Sequence, residues 1–344
     1  MTDDLGIAVI GAGYWGPNLI RNFSNAPGWD LRQVCDLDVE RARRALGRRS
    51  AVVVTDSFAD VLDDPGIRAV AIATPPATHA GLAIQAMDAG KHVLVEKPLA
   101  TSVADGEKMV AVAEDRRVVL MCDHTYCYTP VVRHLRDLIS GGGIGDVQYI
   151  DSVRINLGLV QADADVFWDL APHDLSIFDF VLPERARPAG VAASGADPIG
   201  AGQTCVGYLT LPLGNGGIAH VHVNWLSPTK IRQTIVGGSQ RMVVWDDLNP
   251  SQRLSMYDKG VEMIPALSPD QRVATRISYR TGDMVAPALP EREALQSVVA
   301  EFRDAIVGDR PALTDGNAGL RVLRILEATG VSLRNGGVTI DLDA

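Results

Sequence analysis

The chain has 344 residues, 47% hydrophobic and 22% charged, which excludes disordered and fibrous classes and exceeds what one core usually organises. Its formal net charge of −10 opposes general affinity for nucleic acid or anionic lipid and favours small-molecule chemistry. No apolar run approaches the ~20 residues of a membrane-spanning helix, and the acidic start MTDDLG lacks the positive charge of a secretory signal, so a cytoplasmic protein is expected.

From Leu5 to about His124, short β-branched runs alternate with helical patterns, the signature of stacked βαβ units. The expected strands are Gly6–Ile10, Leu31–Cys35, Val52–Val54, Ala69–Ala73, His92–Val95 and Val118–Cys122. Between the last two lies ADGEKMVAVAEDRR, whose Met109, Val110, Val112 and Ala113 recur at helical spacing. After Tyr128 the helical VVRHLRDLIS stops at Gly141, Gly142 and Gly143, and long strands follow: DVQYIDSVRIN, TCVGYLTLPL, GIAHVHVNWL, KIRQTIVG and RMVVWDD. GNGG at Gly214 to Gly217 reads as a hairpin turn. The stretch from Pro265 to Pro290 reads as a long loop or lid, and two helices close the chain, roughly Glu291–Val307 and Asp315–Asn335. The expected fold is α/β: an N-terminal Rossmann dinucleotide-binding domain over residues 1–123, then a C-terminal α+β domain over 124–344 with a large, mostly antiparallel sheet. The last helices are free to pack back on the first domain.

Gly11, Gly13 and Gly16 in VIGAGYWG follow a buried strand and precede a helix, with Tyr14 and Trp15 inside the turn. The first glycine permits the tight turn, the second lets a pyrophosphate approach the backbone, and the third allows close helix packing. Asp36 ends the second strand, where a carboxylate binds the adenosine ribose and repels a 2′-phosphate, so NAD is expected over NADP. Arg41, Arg43, Arg44, Arg48 and Arg49 follow; an arginine there meets a 2′-phosphate in the opposite case, although a solvated helix face accounts for most of them. ATPPATHAG and VLVEKPLA end the fourth and fifth strands, where open parallel sheets bind ligands, which makes Thr74, Pro75, Pro76, His79, Glu96, Lys97 and Pro98 cofactor-side candidates. From position alone, Lys97 is equally a lysine that polarises a substrate oxygen and a surface lysine paired with Glu96.

The glycine motif, Asp36, TPPATHAG and GKHVLVEKPLA together resemble the glucose-fructose oxidoreductase, inositol dehydrogenase and MocA (Gfo/Idh/MocA) family, and the two-domain texture agrees over nearly the whole chain. The resemblance implies that Lys97 reaches the substrate hydroxyl or ketone and that Pro98 lies in a cis peptide. The family's D-x-x-x-H motif falls on Asp169 and His173, and residues four apart share one helix face, so carboxylate and imidazole can address one site. Pro172 is expected in the first turn of that helix, where proline is tolerated. Many members carry an asparagine and arginine pair where this chain has CDHTYCYTP; His124, Tyr126 and Tyr128 then line the substrate side, as in the branch that acts on nucleotide-linked sugars.

RINLG and WDLAPHDLS also resemble bacterial sugar-nucleotide 3-dehydrogenases and 3-ketoreductases, which implies hydride transfer at ring carbon C3. Arg154, Lys230 and Arg232, with Asn156 and Asn224, are the candidate diphosphate donors; Trp225 and the two tyrosines offer flat faces to a sugar or base. His220 and His222 alternate on one strand without a carboxylate at telling spacing, and Cys35, Cys122, Cys127 and Cys205 form no zinc or disulfide pattern, so no metal is expected. Self-association as a dimer or tetramer is implied by the resemblance. The alternatives are a dehydrogenase of a free sugar or polyol such as inositol, a non-catalytic NAD- or sugar-sensing protein, and an enzyme that recycles tightly held NAD in place.

Overall fold

The computed structural model describes residues 4–47, 51–161, 164–264 and 276–342. Six strands, β1 (Leu5–Ile10), β2 (Trp29–Cys35), β3 (Val53–Thr55), β4 (Ala69–Ile72), β5 (His92–Glu96) and β6 (Leu120–Asp123), pair in parallel in the order β3-β2-β1-β4-β5-β6. Each lies within two residues of its expected bounds. Ile7, Ala8 and Val9 of the central strand are fully buried, as continuous apolar runs must be when both sheet faces are covered. The cover is α1 (Gly16–Asn25), α2 (Val39–Leu46), α3 (Phe58–Asp63), α4 (His79–Asp88) and α5 (Val103–Arg116). Asp38, Ser57 and Ser102 cap α2, α3 and α5 by accepting from the N–H groups of Arg41, Asp60 and Asp105, each cap contributing about 1 kcal/mol. Strand order reverses between β1 and β4, which places a ligand crevice outside their carboxyl ends.

This sheet belongs to a compact unit made of Met1–Thr129, Leu175–Phe180 and Glu291–Glu327. Its last segment brings α8 (Ala294–Val307) and most of α9 (Gly316–Arg334). The Trp29 indole donates to the Val299 carbonyl at 3.0 Å and stacks on Phe302, so α8 completes the hydrophobic wall beside α1. Arg321 of α9 grips Asp179 in two bonds of 2.6 and 2.8 Å.

The second unit comprises Pro130–Asp174, Val181–Pro290 and Ala328–Ala344. It holds α6 (Pro130–Ser140), the start of α7 (Val166–Val181) and nine strands: β7 (Val147–Leu157), β8 (Gly190–Ala196), β9 (Val206–Pro212), β10 (Ile218–Asn224), β11 (Leu226–Gly238), β12 (Met242–Asp246), β13 (Leu254–Ile264), β14 (Arg276–Val285) and β15 (Ile340–Asp341). The order is β14-β13-β12-β11-β7-β10-β9-β8-β15; β7 and β10 run parallel and every other pair is antiparallel. The expected hairpin joins β9 to β10, with Gly216 at φ +85°. Alternate residues Ala219, Val221 and Val223 of β10 are buried, so one face of the sheet carries the core.

Two expectations need correction. Part of the anticipated loop, 265–275, lies outside the described residues, but Arg276–Val285 is strand β14, paired with β13 from Ile264↔Arg276 to Met256↔Val285. It is an edge strand with Tyr279, Met284 and Val285 exposed, so no buried face enforces alternation in its sequence. Pro172 lies inside α7 and not in its first turn, because the helix starts a turn earlier, where the Asp165 carboxylate accepts from the N–H groups of Phe167 and Trp168, both at 3.0 Å. Among the described residues no helix is long and apolar enough to cross a membrane, and no cluster of histidine, cysteine and carboxylate side chains is arranged to hold a metal ion.

Candidate cofactor and active site

The turn from β1 into α1 has a backbone built around its glycines. Gly11 sits at φ +93°, and a Cβ there would lie 2.7 Å from the Ala73 carbonyl oxygen; a Cβ on Gly16 would lie 2.2 Å from that of Gly11. A Cβ on Gly13 would meet nothing within 4 Å, so the chain is packed on one side and open on the other, the cradle a pyrophosphate requires. Tyr14 is exposed and Trp15 half-buried at the entrance to α1, which carries Pro17 in its first turn and no acidic residue there to repel an anion.

Asp36, at the end of β2, is buried and accepts from the N–H groups of Ala12 at 2.6 Å and Asp38 at 2.8 Å. Arg41 adds Nη2 to Oδ1 at 2.6 Å and Nε to Oδ2 at 3.2 Å. Burial alone would raise the pKa of this carboxyl; Arg41 and the two amides pull it below the usual range, so it is ionised. Arg41 is thus committed to Asp36, while Arg48 and Arg49 lie outside the described residues. Cradle and carboxylate fit the pyrophosphate and adenosine ribose of NAD. Asp36→Ala is expected to weaken NAD(H) by about tenfold, the loss of charge-assisted hydrogen bonds, and to release Arg41, narrowing the preference over NADP(H). Titration of both cofactors by fluorescence checks this, and an unchanged ratio would refute the role.

Thr74 and Pro76 are half-buried and Pro75 exposed after β4, with Thr74 Oγ1 2.7 Å from Thr78 Oγ1. His79 departs from its expected place beside the cofactor. It is fully buried, Nδ1 lies 2.9 Å from the Pro98 carbonyl oxygen and Nε2 2.9 Å from that of Thr74, so it ties two loops together and is closed to ligand. Burial lowers its pKa, opposed by these two carbonyls. The Lys97–Pro98 peptide is cis, and Lys97 stands half-buried directly after β5. His124, after β6, is 2% exposed, and neither ring nitrogen has a hydrogen-bond partner; burial, opposed by Asp179 and assisted by Lys97, pushes its pKa down to about 4, so the imidazole is neutral.

In the second unit, Asp169 and His173 are both half-buried on α7. Trp225 Nε1 donates to Asp169 Oδ2 at 2.9 Å; with 1% exposure, the indole orients the carboxylate and offers no face to a sugar. Arg154 is also diverted from its expected task. Its Nε reaches Asp174 Oδ2 at 2.7 Å and its Nη2 reaches Oδ1 at 3.1 Å, in an ion pair of which 5% and 2% of the side chains are exposed, so it is no diphosphate donor. Tyr128 is likewise buried, its hydroxyl 3.0 Å from Thr314 Oγ1. Tyr126, Asn156 and Asn224 remain half-buried, Asn224 Oδ1 accepting from Leu226 N–H at 2.6 Å, and Lys230 is exposed in the irregular stretch of β11. His220 does have a carboxylate neighbour: the parallel register sets it opposite Asp151, with Nδ1 3.4 Å from Oδ1, while His222 stacks on Tyr208. Asp174 was invisible as a partner in the sequence, yet an arginine alternating with buried Ile150 and Ser152 signals the need for a buried counter-charge.

A parallel Rossmann sheet with a glycine cradle and a buried carboxylate at the end of its second strand, in a chain that also carries a large mixed sheet, is the architecture of NAD-dependent oxidoreductases. Residues 5–124 match the family model described as "Oxidoreductase family, NAD-binding Rossmann fold", GFO_IDH_MocA. Over those residues the chain carries the NAD-binding domain of this family, and the protein binds NAD. It is 28% identical over 318 residues to UDP-N-acetylglucosamine 3-dehydrogenase of Acidithiobacillus ferrooxidans, covering 92% of this chain and 93% of that one. The solved structure of that enzyme superposes with a TM-score of 0.80 at 26% identity over 96% of this chain and 98% of the other. GenD2 from gentamicin A biosynthesis, solved with NAD, gives a TM-score of 0.81 at 25% identity over 100% and 98% of the two chains.

Proposed function

We propose that the protein is a cytoplasmic NAD-dependent enzyme that moves a hydride to or from C3 of a nucleotide-linked hexose. The observation that carries this reading is the similarity to UDP-N-acetylglucosamine 3-dehydrogenase along nearly the full length of both chains. Residues outside the cofactor cradle agree with it: Asp169 and His173 share one face of α7, and Lys97 follows the strand end beside the cradle. NAD, when bound, supplies the hydride acceptor or donor. In the oxidative direction His173 accepts the proton of the carbinol hydroxyl, an exchange suited to an imidazole near neutral pH. Asp169, fixed by the Trp225 indole, orients His173. Lys97 donates to a substrate oxygen and stabilises its developing negative charge.

Tyr126 serves the sugar, and Lys230, Asn156 and Asn224 the diphosphate; Arg154, Tyr128 and Trp225 have structural duties in place of those first expected, and His124 is as buried as Tyr128 and Trp225. Self-association is part of the same reading and is checked by sedimentation. The substrate class is tested by following NADH absorbance with UDP- and dTDP-hexoses, free glucose and inositol, and by calorimetry at equal concentrations. Turnover confined to nucleotide sugars is expected. Turnover of the free polyols with none of any nucleotide sugar would replace this reading by a polyol dehydrogenase.

A further inference from the structure

The mechanism leaves two buried carboxyl groups unused. Parallel register places Glu96, last residue of β5, beside Asp123, last residue of β6, and their side chains are within hydrogen-bonding reach of each other. Asp123 is 1% exposed. Its Oδ1 accepts from Thr125 Oγ1 at 2.7 Å, and Glu96 Oε2 accepts from the backbone N–H of Lys97 at 3.2 Å. The remaining oxygens, Glu96 Oε1 and Asp123 Oδ2, are buried and have no hydrogen-bond donor. Two ionised carboxylates in that position would repel strongly and leave both oxygens unsatisfied. One proton resolves both problems, because it supplies the missing donor and removes one of the two charges.

We propose that Glu96 and Asp123 share a single proton and act as a positioning pair, one net negative charge that holds the end of β5, and with it Lys97, against the glycine turn. Trp15 reaches the pair from that turn, its buried indole nitrogen beside Asp123 without a well-formed bond of its own. The other titratable groups facing the pair are Lys97, directly after β5, which favours the negative charge, Cys122 on β6, a neutral thiol whose pKa burial and the two carboxyls raise, and Tyr128, whose hydroxyl burial and Asp123 push up. Burial first, then the charge of Asp123, holds the Glu96 carboxyl well above the usual range, consistent with the proton residing there. The pair thus links three segments of one unit: the turn that cradles the cofactor, the strand that leads to Lys97, and the strand that leads to His124.

The functional half of this proposal rests on the role given to Lys97, so the first readout does not involve turnover. Infrared spectra of the cofactor-free protein at neutral pH are expected to contain one protonated-carboxyl C=O stretch, missing from both E96Q and D123N, since an amide supplies the donor and lets the surviving carboxyl ionise. A wild-type spectrum without that band, or a band that survives in either variant, overturns the shared proton. The pH dependence of urea unfolding gives a second test. A folded protein that keeps a proton released by the unfolded chain loses stability as pH rises above about 4.3, the ordinary glutamate value, and E96Q should lack that decline. An identical slope in wild type and E96Q also overturns the proposal. For positioning, E96A should lower turnover tenfold or more, with E96Q regaining most of it. Unaltered turnover in E96A overturns the positioning role, whereas unaltered turnover in K97A overturns instead the assignment of Lys97.

Discussion

Replacing Lys97 or His173 by alanine is expected to lower turnover by roughly 10²-fold or more, the usual contribution of a positioned acid or base, while NAD affinity stays within a small factor. The separation follows from where the groups lie. The cofactor contacts proposed for the glycine cradle and Asp36 involve neither residue. Asp169→Asn keeps a partner for the Trp225 indole but removes the charge that steadies an imidazolium, so an intermediate loss is expected. Steady-state kinetics with parallel cofactor titrations decide these points, and near-normal turnover in either alanine variant moves the proton to another group.

The largest stability effect is expected at Asp174. Removing its carboxylate by Asp174→Ala leaves the buried Arg154 guanidinium without its counter-charge and deprives Ser152 Oγ of its 2.8 Å acceptor. Breaking one side of such a pair costs about 3–5 kcal/mol, because the remaining charge has lost both water and partner. The urea midpoint should fall accordingly, whereas the double change Arg154→Met with Asp174→Leu, which removes both charges and refills the space, should recover most of the loss. Equal damage from the single and double variants would mean that packing, not charge, governs the site.

How far the sequence carried is clearest in three places. The parallel sheet was legible because its strands are buried on both faces and read as unbroken apolar runs, and β1 through β6 need no information from elsewhere in the chain. The glycine turn was legible from its own motif, three glycines between a buried strand and a helix, although the contact that forbids a Cβ at Gly11 comes from Ala73 and Thr74 after β4. Partners distant in sequence were not. In the sequence Arg154 reads as a diphosphate donor because nothing local reveals Asp174, and Trp225 reads as a sugar face because its bond to Asp169 spans 56 residues. The place of His79 after β4 points to the cofactor, although its ring is fully buried between two carbonyls. Strand β14 leaves little signature in the sequence, since an edge strand carries little alternation. Position in a fold predicts which residues are near a site, while the hydrogen bonds that decide their duties are made across the chain.

The dinucleotide-binding unit is assembled from three separated stretches of sequence, and this bears on how the protein is made and how it can be cut. Ribosomal synthesis delivers residues 1–129 long before Glu291–Glu327, so during elongation the Trp29 indole waits without its Val299 acceptor and the Phe302 ring it stacks on. Contacts of such sequence separation slow folding and leave apolar surface open to chaperones or to aggregation in the interval. A gene fragment ending near Thr129 would therefore yield a sticky, incomplete sheet, and exchange of cofactor domains among relatives should succeed only when the late helical segment travels with the early one.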